Sequence, residues 1–334
     1  MKLIKVLLTL FSTSVLFSHA QQSSHGLPHH KEQAFFSLTE LQAADKQATA
    51  DLQYIAASDQ TLLAYRAYLP MSPHAVLIFY HGAGAHSGLS YSHIGVTLRD
   101  KFNIAVYTPD LRGHGYSQGT RGDTPNEQQV WQDINTLISL AQQQFPNSPI
   151  FLGGHSAGAG LLLNYAEWAT QQTAPLAIAG YTFIAPYFGY RSDTNYQEDQ
   201  QAFQFAQVKV SKFIANSVSG GLLFGHSKAV TFNYPNTVLT DNPKIVPFNT
   251  VNMSKAITPS QPNKQLIHAS PFGLWIGSQD EAFDPIKVTE FAKLYAKQSQ
   301  QNTIEIMQQA NHFSIILEAA EQIGPWIYKI IKTH

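Results

Sequence analysis

Six stretches of the chain are almost entirely apolar and each is bounded by Gly, Pro, Asn or Asp. They are AVLIFYHG (75–82), NIAVYTPD (103–110), PIFLGGHS (149–156), LAIAGYTFIAP (176–186), FGLWIGSQD (272–280) and NTIEIM (302–307). A short run with no polar face predicts a strand buried on both sides, as in a parallel sheet. Between most of these runs the apolar period lengthens. In 126–144, Val130, Ile134, Leu137, Ile138 and Ala141 fall on one face, which predicts an amphipathic helix. Helices are also expected over 157–171, 285–299 and 312–332. LQYIAA (52–57) and LLAYRAYLP (62–70) read as an opening hairpin with Ser58-Asp59-Gln60 in the turn. Strands alternating with helices predict an α/β fold with a mostly parallel sheet covered on both faces.

The alternation fails once, from about 187 to 270. That stretch holds an expected amphipathic helix over 197–217, with apolar Phe203, Phe205, Ala206, Val208, Val210, Phe213 and Ile214. SGGLLFG and a Pro- and Asn-rich section follow. It is too long for a simple loop and is expected to form a cap, or lid, inserted into a core of residues 51–186 and 271–334.

The first 50 residues stand apart. Lys2 and Lys5 precede an apolar run from Val6 to Phe17, and Ser18-His19-Ala20 offers a small-residue cleavage site. This predicts an export signal over 1–20 cut after Ala20, since about 12 apolar residues are too few to span a bilayer. Export would deliver the chain to the periplasm or the outside. Residues 21–50 read as an N-terminal arm with a short helix near 37–46. His25, His29 and His30 are expected to be exposed there, not metal-bound.

Composition narrows the chemistry. The 334 residues carry a formal net charge of −1 and only 13% charged residues, so no basic surplus points to nucleic acid. With no cysteine, disulfides, thiol catalysis and thiolate-bound metals are excluded.

The third long apolar run ends in Gly154-His155-Ser156-Ala157-Gly158, a G-x-S-x-G pattern between an expected strand and an expected helix. That context is what a nucleophile elbow requires. A serine hydroxyl needs a base, and the base needs an orienting acid. His312, after the last strand, is the expected base. His226 and His268 fall in the expected cap, and His334 ends the chain. The preceding strand ends in Asp280, Glu281 and Asp284. Asp280 is preferred as the acid because it comes first, while Asp284 before Pro285 has the look of a helix N-cap. An oxyanion hole needs backbone N–H groups. Ala157 supplies one, and Ala83 in the loop His81-Gly82-Ala83-Gly84 the other, with Gly84 as its alternative. His81 and His86 are expected to fix that loop by hydrogen bonds. Asp110, Arg112 and His114, in PDLRGHGYSQGTRG (109–122), are expected to brace the site.

FYHGAGAHSG, DLRGHGYSQGTRG, GGHSAGAGL, GSQDEAFDP and NHFSII stand in the order and spacing of the α/β-hydrolases. The set most resembles the monoacylglycerol lipase and lysophospholipase branch, over roughly residues 50–332. Within the cap, VLTDNP (238–243) resembles a cap-exit motif of that branch. The resemblance implies a Ser156–Asp280–His312 triad with Ala83 and Ala157 as oxyanion donors. It also implies a cap shaping an apolar acyl tunnel and a serine esterase needing no metal or organic cofactor. A small amphiphilic ester would be its substrate. The apolar residues of the expected 197–217 helix fit two readings equally, a lid lining its own tunnel or a transient membrane or micelle contact through the cap. Three alternatives remain open. Two are a peptidase or amidase, for which Glu198 and Asp199 could hold a substrate amine, and an acyltransferase. The third is a non-catalytic binding protein on the same scaffold.

Overall fold

A computed structural model describes residues 49–196 and 204–333. The expected export signal, nearly all of the N-terminal arm, and Glu198 and Asp199 lie outside the described residues. The chain runs β1 (Leu52–Ala56), β2 (Leu62–Tyr68), β3 (Ala75–Tyr80), α1 (Ser92–Phe102), β4 (Ile104–Pro109), α2 (Glu127–Gln144), β5 (Ile150–His155), α3 (Ala157–Thr170) and β6 (Gly180–Ile184). After the inserted segment come β10 (Phe272–Gly277), α8 (Pro285–Tyr295), β11 (Thr303–Met307) and α9 (Ile315–Ile331).

These strands form one eight-stranded sheet in the order β1-β2-β4-β3-β5-β6-β10-β11. The pairs β1–β2 and β2–β4 are antiparallel and all others parallel. Every residue of β3, β4, β5, β6 and β10 is buried. This is why their sequences run apolar without alternating. Two apolar layers flank the sheet. One joins it to α2, α3 and α8 through Ile134, Leu161, Leu162 and Val288. The other joins it to α1 and α9 through Ile94, Leu98, Ile323 and Ile327. Each such side chain contributes about 1.5–3 kcal/mol on burial.

The inserted segment contains β7 (Ala206–Val208), α4 (Val210–Val218), β8 (Lys228–Phe232), α5 (Asn236–Asp241), β9 (Phe248–Thr250), α6 (Val251–Ile257) and α7 (Pro262–Gln265). β7, β8 and β9 form a separate antiparallel sheet. The helix expected over 197–217 is therefore corrected. Ala206–Val208 pairs with Val230–Phe232 as a strand, and the helix begins only at Val210. Beyond Thr250 the segment bonds to both the cap and the core: Val251 N–H donates to Ser227 O and Asn252 N–H to Gly225 O within the segment. Asn164 on α3 donates to Lys255 O, Ala256 O and Thr258 O, and Trp131 Nε1 on α2 donates to Ala256 O. The expected helices over 285–299 and 312–332 are also shorter, ending at Tyr295 and starting at Ile315.

Candidate active site

β5 ends at the central position of the sheet and passes straight into α3. Ser156, at the junction, has φ 53° and ψ −117°. A non-glycine residue there costs about 1–3 kcal/mol and persists only when its surroundings hold it. Here they do. Ser156 N–H donates to Ile184 O at 3.0 Å, and Ser156 O accepts from Tyr187 N at 3.1 Å. The flanking glycines make the turn sterically feasible. A Cβ on Gly154 would lie 2.4 Å from the Gly158 carbonyl carbon, and one on Gly158 would lie 2.5 Å from Tyr80 O.

Asp280 and His312 come from the loops after β10 and β11, the next two strands beyond β6. The loops are stitched together: Gln279 N–H donates to Ala310 O at 2.9 Å and Gln309 N–H to Ser278 Oγ at 3.0 Å. Asp280 Oδ1 accepts from Ala282 N and Phe283 N, both at 2.9 Å. That leaves Oδ2 for His312 Nδ1, at 2.8 Å, with both residues buried. A carboxylate can only accept, so His312 carries its proton on Nδ1 and its lone pair on Nε2. Phe283 and Phe313 meet the His312 ring edge-on at 5.3 and 5.4 Å and hold its plane. Ser156 and His312 line the same small pocket, together with Gly82, Ala83, Phe205 and Tyr234.

Ala83 lies on the loop after β3. Gly82 O accepts from His81 Nδ1 at 2.8 Å and from Ala85 N at 3.2 Å. In a trans peptide the N–H points away from the carbonyl, so anchoring Gly82 O also fixes the direction of Ala83 N–H. Ala157 opens α3, where backbone N–H groups have no partner inside the helix. Gly84 does not line the pocket. Its carbonyl accepts from Val246 N at 2.8 Å, and its missing Cβ lets Val246 O approach. Ala83 O accepts from Tyr234 Oη at 2.6 Å, so the inserted segment grips this loop at two points.

His81 and His86 act as loop fixtures, as expected. Leu111 N–H donates to His81 Nε2, and Gly88 N–H to His86 Nδ1. Burial pushes both rings down to about 4, so they are neutral. Asp110 accepts from Ser87 N and Tyr116 N. Arg112 spans Asp133 and Asp59. His114 Nε2 meets Asn249 Oδ1 at 3.2 Å, and burial holds that ring at about 3. These three residues brace the loop and stand outside the pocket. Asp284 Oδ1 accepts from Ile286 N and Lys287 N and caps α8.

His155 and Tyr91 were not singled out in the sequence. Tyr91 Oη accepts from Gly82 N at 2.9 Å and donates to His155 Nδ1 at 2.9 Å, and His155 Nε2 donates to His312 O at 2.9 Å. Burial holds His155 well below its usual range, so it stays neutral and keeps this directionality. The chain of bonds ties the Ala83 loop to the His312 loop beneath Ser156. His155 occupies the unrestricted position of G-x-S-x-G, so the pattern gave no signal for it.

The pocket beside Ser156 has room for about one water molecule, some 10 Å³. Phe205, stacked on Phe232 at 5.4 Å and edge-on to Tyr234 at 5.1 Å, lines it from the cap side. The acyl tunnel implied by the resemblance is not open among the described residues.

An eight-stranded, mostly parallel sheet with a strained serine elbow and an Asp–His pair at its strand ends defines an α/β-hydrolase. The chain belongs to the family described as serine aminopeptidase, S33, which matches residues 71–318. Among curated proteins it is similar to rat (Rattus norvegicus) monoglyceride lipase, 27% identical over 173 residues, 51% of this chain and 53% of that protein. It is also similar to an uncharacterized abhydrolase domain-containing protein of Dictyostelium discoideum, 36% identical over 118 residues, 35% of this chain and 12% of that one. The match thus spans about half the length of these relatives or less. Among solved structures, a soluble variant of monoglyceride lipase from Saccharomyces cerevisiae, in complex with a substrate analog, superposes with a TM-score of 0.61. It is 17% identical, and the match covers 84% of this chain and 96% of that one. The α/β-hydrolase fold and the monoglyceride-lipase-like resemblance read from the motifs agree with these findings.

Proposed function

We propose that the chain is an exported serine hydrolase that cleaves carboxylic esters of single-chain lipids, such as monoacylglycerols or lysophospholipids. The observation that carries this reading is the strained Ser156 sharing a buried pocket with a His312 ring hydrogen-bonded to Asp280. In this reading His312 Nε2 takes the Ser156 proton as Oγ attacks the acyl carbonyl. Ala83 and Ala157 N–H groups hold the oxyanion. His312 then protonates the leaving alcohol, and water releases the fatty acid from the acyl-enzyme. Asp280 fixes the ring and stabilises its charged form.

Two observations support an amphiphilic substrate. Phe205, Tyr234 and Phe313 make the pocket around Ser156 apolar and aromatic, with Phe232 stacked behind Phe205. On the outside of the cap, Val210, Ile214, Val218, Leu222, Leu223 and Phe224 are all exposed, Val218 at 84% and Leu222 at 89%. Such a tip suits contact with a micelle or membrane. The monoglyceride lipases among the relatives point to the same substrates. The family description names an aminopeptidase, so amides are the second reading.

The test is hydrolysis of a chain-length series of 1-monoacylglycerols, lysophosphatidylcholines, p-nitrophenyl esters and aminoacyl amides by purified mature protein and its Ser156→Ala variant. Ester turnover that vanishes in the variant supports the reading. Turnover of amides alone rejects it in favour of a peptidase. Export is checked separately, by the mass of the protein recovered outside the cytoplasm, expected to lack residues 1–20.

A further inference from the structure

The loop after β10 carries a second carboxylate that the proposed mechanism does not use. Glu281 follows Asp280, and its Oε2 accepts the backbone N–H of His312 at 3.1 Å. Asp280 Oδ2 accepts the ring Nδ1–H of the same residue at 2.8 Å. Two consecutive acids therefore hold one histidine at two points, by its main chain and by its ring.

A neutral acceptor would make the same bond to a backbone N–H at lower cost. Glu281 is half-buried and sits beside another carboxylate, and burial pushes its carboxyl above the usual range. Keeping a charge there is unfavourable unless a cation meets it. The groups around it are Asp280 and Asp284 on its own loop and His312 on the facing loop. His155 lies behind His312, and Tyr196 reaches in from the segment before the cap, with its hydroxyl on Asp280 O at 2.6 Å. None of these is a lysine or an arginine. Lys287 Nζ, on α8, is turned to Asn195 O and Asp193 instead. Among the described residues, the cation set against Glu281 is the His312 imidazolium that forms during the reaction.

We propose that Glu281 is a positioning residue for His312, which fixes the main chain of the base and supports the protonated ring with its charge. The proposal rests on the reading of His312 as the base. It extends the acid of the site from one residue to two, with divided tasks: Asp280 sets the tautomer, and Glu281 sets the backbone and adds charge.

The variants Glu281→Gln and Glu281→Ala separate the two contributions. An amide oxygen keeps the hydrogen bond without the charge, and alanine loses both. The first readout is the titration of His312 by NMR, assigned by comparison with His312→Gln, which needs no substrate. Removing a neighbouring negative charge disfavours the imidazolium, so the His312 midpoint is expected to fall by about 0.5–1 pH unit in both variants. The second readout is kcat and KM on a p-nitrophenyl ester. We expect kcat to fall about threefold in the glutamine variant and about 10- to 30-fold in the alanine variant, with KM within about twofold in both. An unmoved His312 midpoint overturns the charge role, and an alanine variant with wild-type kcat overturns the positioning role. If the alanine variant does not fold, the glutamine variant's midpoint decides alone. Failure of the ester reading shows as a wild type without turnover, which leaves the NMR result intact.

Discussion

Gly158→Ala isolates the geometry on which the site depends. The substitution adds one methyl group at the first turn of α3, at a position where the backbone already tolerates alanine. That methyl would lie 2.5 Å from Tyr80 O and 2.8 Å from His81 O, the last residue of β3 and the first of the Ala83 loop. An ordinary contact of 3.4 Å requires the helix start and the strand end to part by about 0.9 Å. Neither neighbour is a flexible side chain, so the separation must come from backbone. Overpacking of this kind costs about 1–3 kcal/mol of stability. The larger effect falls on geometry, because Ala157 N–H moves with α3 while Ala83 N–H stays with β3. A misplacement near 1 Å costs on the order of 100-fold in rate. The assay is kcat for p-nitrophenyl ester hydrolysis together with a thermal melt. Gly220→Ala serves as the control. Gly220 has φ +64°, and a Cβ there would meet nothing within 4 Å. It should cost about 1 kcal/mol of stability and leave kcat within about twofold. A Gly158→Ala protein with wild-type kcat and an unchanged melt would refute the claim that close approach at Gly158 sets the two donors.

Three further outcomes are expected. Asp280→Asn should lower kcat by about 10³- to 10⁴-fold through loss of the correct tautomer, whereas Asp284→Asn should leave kcat within about twofold and change stability by less than about 1 kcal/mol, since asparagine also caps helices. Arg112→Met strands the buried Asp133 carboxylate and should cost about 3–5 kcal/mol in a denaturant titration. The third outcome concerns pH. His81 and His86 are held near 4 and His114 near 3 by burial, against an ordinary 6.5. The unfolded chain therefore binds more protons between those values, so stability falls as pH drops below 6.5 and levels off below about 4 for His81 and His86 and below about 3 for His114. At pH 5 each accounts for up to about 2 kcal/mol, and melts from pH 7 to 4.5 should decline less steeply in His114→Gln.

What the sequence made legible follows from how locally each feature is encoded. The parallel strands were visible because burial on both faces removes every polar residue, as in AVLIFY. Ser156, Asp280 and His312 were visible because each follows a buried strand closely and is flanked by turn residues. α1 was not seen because its buried face is built from Ser92, Gly95 and Thr97 as well as Ile94 and Leu98. Gly95 is buried against the Tyr68 ring, a partner distant in sequence. β7 was read as helix because Phe205, Val208 and Phe213 also fit a helical period. Ala206, Val208 and Val210 do alternate, but the strand is three residues long and is defined by its pairing with β8. The bridge from Gly82 through Tyr91 and His155 to His312 joins the loop after β3, across the end of β5, to the loop after β11. Only the folded chain brings those loops together.

The central claim is that Ser156 is an activated nucleophile, and it can be tested without knowing the substrate. Purified protein would be treated with a fluorophosphonate and the adduct located by peptide mass spectrometry. The account predicts one adduct, on the peptide containing Ser156, that forms at least about 100-fold more slowly in His312→Gln. No adduct on the folded protein, or one on another serine, would contradict it.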